Sequence, residues 1–138
     1  MQSGFSVGLP RVWLLAKLPC MLPRDLMIAV DAQLAHVWMV RAFLKHSDEA
    51  QDDDELAEVH RELYDYMLAL GGPLKADDAA EYLKLARKKL GKLIKATEKF
   101  GDIQPQISTH TNFQMAVGSL RAAVEKVTKL LDGSDRSD

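Results

Sequence analysis

Four histidines, His36, His46, His60 and His110, are the residues of this chain best suited to holding a metal or moving a proton near neutral pH. Helical metal sites commonly draw on Glu-x-x-His pairs, because residues three apart share a helix face and can close on one ion. No such pair occurs here. The acids nearest His60 are Glu58 and Glu62, each two positions away, and residues two apart on a helix point in different directions. Asp31 lies five positions before His36, an equally poor spacing. Paired across helices, His36 and His60 are the metal candidates, with Glu58 or Asp31 as a further ligand. The plainer role is that of helix-flank histidines bonded to water or neighbours. No cofactor is expected.

Nucleophilic chemistry has little support. Cys20 is the single cysteine, set between Pro19 and Met21, and reads as a small apolar filler. It can form no internal disulfide, and no zinc or redox spacing exists, which fits a cytoplasmic setting. Gly-rich phosphate loops and Gly-x-Gly-x-x-Gly are absent. The tyrosines and tryptophans read as packing residues. Arg41 stands out, because it falls within an apolar sector. Its expected fate is to pair with an acid in the stretch Asp52–Glu55, or to carry its charge outward along its own aliphatic stem.

The strongest charged feature is YLKLARKKLGKLIKATEKF, residues 82–100. On a helix, Lys84, Lys88, Lys92, Lys95 and Lys99 fall within roughly 80° of one another and form a ridge about 22 Å long. Such a ridge suits an acidic protein partner. It also suits simple solvation of a helix back. Lysine in place of arginine, and the absence of interleaved aromatic residues, argue against nucleic acid. So does the net charge of −2. The acidic stretch HSDEAQDDDE is the natural complement of the ridge, in the same molecule or in a second copy.

The elements that must position these residues are helices. No period-2 run of β-branched residues appears anywhere. A first helix is predicted from about Arg24 to Lys45, with Pro23 favouring its start. Leu26, Val30, Leu34, Val37 and Leu44 form its core face. Ile28, Met39 and Phe43 lie outside that face, with Ala32, Ala35 and Ala42 between them. Apolar residues on two sides predict a dimer interface at Ile28, Met39 and Phe43. A second helix is expected from about Asp53 to Leu70, carrying Leu56, Val59, Leu63, Tyr66 or Met67, and Leu70, and stopped by Gly71-Gly72-Pro73. A third runs from about Asp77 to Phe100, ended by Gly101. Its apolar seam is Ala79, Leu83, Ala86, Leu90, Leu93, Thr97 and Phe100. A connection containing Pro105 leads to a fourth helix from Thr111, with Phe113, Val117, Leu120, Val124, Val127 and Leu131 as its stripe and Gly133 at its end.

Short connections favour antiparallel neighbours. The chain therefore reads as all-α: an antiparallel up-down-up-down four-helix bundle at 23–132, an irregular N-terminal arm at 1–22 and a disordered tail at 133–138. Met21 and Met27 are alternative starts that would shorten the arm. The apolar stretch Val12–Leu22 is too short to span a bilayer, so no membrane insertion is expected. Phe5, Val12, Trp13, Leu14 and Leu15 compete with a second copy for the spare face of the first helix. The leading functional reading is a non-enzymatic, cytoplasmic, homodimeric interaction module whose helix 3 lysines meet an acidic partner. The alternative is a small-molecule or metal-binding bundle, or an enzyme built on one, with a pocket near His36, His60 and Trp38.

Overall fold

The structure is a computed structural model that describes residues 21–136, with side chains through residue 133. The expectations for the arm, for Cys20 and for the end of the tail lie outside the described residues. Five helices are present among the described residues: α1 Pro23–Lys45, α2 Asp48–Asp52, α3 Asp54–Lys75, α4 Ala79–Ile107 and α5 Thr111–Arg136. No strand occurs among the described residues.

Local sequence explains most helix starts. Pro23 occupies the first turn of α1, where a missing N–H costs nothing, and Asp25 and Lys45 complement the two ends of its dipole. The acidic stretch after α1 is not a plain loop. Ser47 caps the short α2 by accepting from Ala50 N–H, and its hydroxyl donates to Leu44 C=O at 2.9 Å. Asp53 then caps α3 through Leu56 N–H, and Asp78 caps α4 through Glu81 N–H. At α5 the capping acceptor is His110 Nδ1, which takes Asn112 N–H at 3.0 Å, while Gln114 Nε2 donates to Thr109 C=O.

Three helix ends differ from expectation. α3 runs through Gly71-Gly72-Pro73 and stops at Lys75. Neither glycine adopts positive φ; Asp77 does, at 55°. Asp77 N–H bonds Leu74 C=O and Asp78 N–H bonds Pro73 C=O, the Schellman pattern built on an aspartate. Aspartate is among the few residues that tolerate this conformation, and Arg24 holds Asp77 by an ion pair at 3.1 Å. α4 passes both Gly101 and Pro105 because its apolar stripe continues: Ile103 and Ile107 pack on the core, and Gln104 is buried with its amide donating to Ser108 C=O. α5 likewise continues past Gly133.

The predicted stripes form one core. Val30, Leu34, Val37, Leu44, Leu56, Leu63, Leu93, Phe100, Leu120 and Val127 are fully sealed from solvent. Two buried phenols join the helices. Tyr66 Oη donates to Ala86 C=O at 2.9 Å, and Tyr82 Oη donates to Asp31 at 3.3 Å. Burial pushes both phenols above their ordinary titration range, with the charge of Asp31 adding to the effect at Tyr82. α1 packs on α3 and α5, and α4 packs on α3 and α5. Length and composition alone would let α1 cross a bilayer, a property it shares with core helices of this kind.

Candidate functional site

The densest gathering of chemistry-bearing side chains lies between α1 and α3. On α1, Trp38 and Arg41 are three residues apart and therefore share a face. On α3, His60 and Tyr64 are four apart and do the same. Packing α1 against α3 brings the four together. The guanidinium of Arg41 lies 3.9 Å from the centroid of the Trp38 ring and 5.5 Å from that of Tyr64. The two rings are tilted, 6.4 Å apart. Arg41 Nη1 donates to His60 Nε2 at 3.3 Å. Arginine can only donate, so His60 Nε2 is the acceptor and its proton sits on Nδ1. Arg41 is buried, with 7% exposure, and its Nε has no hydrogen-bond partner. None of Asp52, Asp53, Asp54 and Glu55 forms an ion pair with it; the ion pairs among the described residues lie elsewhere.

The electrostatics of this cluster are one-sided. Burial, then Arg41, Lys45 and Arg61, hold the His60 imidazole below its ordinary range, which keeps the ring neutral and able to accept from Arg41. Every charged group in that account is a cation. The two rings are open to solvent: Trp38 is 40% exposed and Tyr64 38%. Trp38 and Tyr64 read in the sequence as packing residues, whereas they are half in solvent. Spacings of three and four on each helix were visible in the sequence. The meeting of the two helices was not.

The lysine ridge of α4 is divided. Lys99 is half-buried and bonds Glu58 at 2.9 Å, with Glu55 at 3.9 Å. The bond from Lys99 holds the Glu58 carboxyl below its usual range and raises the Lys99 ammonium in turn. Glu55 closes the acidic stretch proposed as complement to the ridge, and Glu58 lies one turn beyond it. Lys92 and Lys95 are exposed on the α3–α4 groove that Glu58 and Glu62 also line. Lys84 and Lys88 are exposed farther toward the start of α4. None of these four lies in an ion pair among the described residues.

The outer face of α1 carries Ile28, Ala32, Ala35 and Met39, all exposed, at spacings of four, three and four. Met115 of α5 extends this apolar surface, sharing a shallow groove with Met39, Phe43 and Asn112. Phe43 differs from its two companions. It is half-buried and packs edge-on against Phe113, with centroids 5.0 Å apart.

The metal candidates are dispersed. His36 is exposed on α1, His60 is engaged by Arg41, Glu58 is engaged by Lys99, and Asp31 accepts from Tyr82. Among the described residues no group of three or more His, Cys, Asp and Glu is arranged to hold an ion. Compared with protein-family models, with curated proteins and with solved structures, the chain matches none.

Proposed function

We propose that the protein is a non-enzymatic interaction module of the cytoplasm, built as an antiparallel up-down-up-down four-helix bundle. Two copies associate through the outer face of α1, and the free lysines of α4 receive an acidic segment of a protein partner. Cross-helix contacts support the bundle arrangement. Arg24 at the start of α1 meets Asp77 just past the end of α3, Glu58 near the start of α3 meets Lys99 late in α4, and Phe43 near the end of α1 meets Phe113 at the start of α5.

The observation that carries the association is the exposed row Ile28, Ala32, Ala35 and Met39. It has the spacing of a helix–helix seam and alanines small enough for close approach. Native mass spectrometry of the purified chain tests it. Twice the chain mass is expected, and Ala35→Arg should return it to the single mass with the fold intact. A wild-type chain that stays monomeric at micromolar concentration would remove the interface. The lysine contact is tested separately: exchanging Lys84, Lys88, Lys92 and Lys95 for Glu should abolish binding of a poly-glutamate peptide that weakens steeply with salt.

A further inference from the structure

We propose that Arg41 anchors a binding site, where α1 packs on α3, for a carboxylate carried on an apolar body. The site is separate from the α4 lysines and from the outer face of α1.

Arg41 is nine-tenths buried, lies in no ion pair among the described residues, and keeps its Nε unpartnered. A buried cation of this kind calls for an anion. The molecule holds the guanidinium ready for one. Trp38 and Tyr64 fix its plane from α1 and α3, and His60 fixes one end of its fork. A planar, pre-oriented guanidinium matches the two oxygens of a carboxylate. The charges that act on His60 besides Arg41, those of Lys45 from α1 and Arg61 from α3, are positive and favour an anion beside it.

The rim selects the rest of the ligand. The Trp38 and Tyr64 rings offer exposed apolar surface beside the charge. Inorganic phosphate or acetate would use the guanidinium and leave the rings wet. A carboxylate on an aromatic or aliphatic body uses both. Free organic acids have this chemistry, and so does an acidic residue flanked by leucines in a protein segment.

The test uses the full chain with Trp13→Phe, so that Trp38 is the sole tryptophan. Benzoate, a blocked Leu-Glu-Leu tripeptide, acetate, inorganic phosphate and benzamide are titrated against Trp38 emission and the His60 ring resonances. Benzoate or the tripeptide should saturate both signals, at least tenfold more tightly than acetate, phosphate or benzamide. The tighter of the two identifies the source as a free acid or a protein segment. Arg41→Met should abolish the response without lowering the melting temperature. Arg41→Lys, which keeps the charge and loses the planar fork, should weaken it at least tenfold and carries the test if Arg41→Met fails to fold. The proposal is overturned by an equal response to all five probes, by a response that survives both substitutions, or by no response to benzoate and the tripeptide up to about 10 mM.

Discussion

Lys99 and Arg41 both place a cation between α3 and a neighbouring helix, and the protein treats them in opposite ways. Lys99 meets two carboxylates, Glu58 at 2.9 Å and Glu55 at 3.9 Å, at a solvated groove. Arg41 is more deeply buried and meets two aromatic rings and a neutral imidazole. An exposed ion pair gains little, because water and salt screen it. A buried charge costs several kcal/mol in lost hydration. Against that, a cation–π contact returns about 0.5–2 kcal/mol, and a hydrogen bond to a charged group about 1.5–3 kcal/mol. The groups around Arg41 therefore roughly offset its burial. They hold the cation in place more than they stabilise the fold, whereas the α3–α4 pairs finish an ordinary helix boundary.

The contrast can be broken experimentally, beginning with the largest effect. Trp38→Ala removes a large, partly buried ring and opens one side of Arg41; a loss of about 2 kcal/mol is expected in urea denaturation, below the full cost for a core aromatic because the ring is 40% exposed. Arg41→Met should act in the other direction, raising stability by about 1–2 kcal/mol, since a flexible apolar side chain of similar reach replaces an unpaired buried charge. A clear loss of stability in Arg41→Met would make the cluster a structural support.

His60 supplies a pH signature. Its titration is depressed in the folded protein, so the unfolded chain binds the proton more readily. The contribution of this residue is full above its ordinary value of 6.5 and is lost as pH falls through the lower folded value. His60→Gln should flatten the urea midpoint between pH 7 and 5 relative to wild type; an unchanged slope would show that His60 is not held neutral by its neighbours. The smallest effect belongs to Lys99→Gln. It should lower the melting temperature slightly at low ionic strength and leave it unchanged in about 0.5 M salt. A salt-independent loss would make the Lys99 contact more than a screened surface pair.

Much of the fold was legible in the chain. The stripe Phe113, Val117, Leu120, Val124, Val127 and Leu131 is buried throughout, and Leu26, Val30, Leu34, Val37 and Leu44 are sealed as their spacing required. Helix ends were less legible. Glycine and proline suggested stops at residues 71–73 and 101–105, yet the stripe continuing through Ile103 and Ile107 outweighed the local preference. The actual turn after α3 used Asp77, which adopts the left-handed conformation and pairs with Arg24 at the start of α1.

The sequence by itself determined that the chain would form helices, and which side of each would face inward, because a 3.6-residue period needs only neighbours a turn apart. Tertiary structure alone decided which charges would be answered. Arg41 and His60 are 19 positions apart, and Glu58 and Lys99 are 41 apart. No local pattern encodes which acid or ring a cation will meet across a helix boundary. Packing α3 against α4 gave Lys99 its carboxylates, and packing α3 against α1 left Arg41 among aromatic rings.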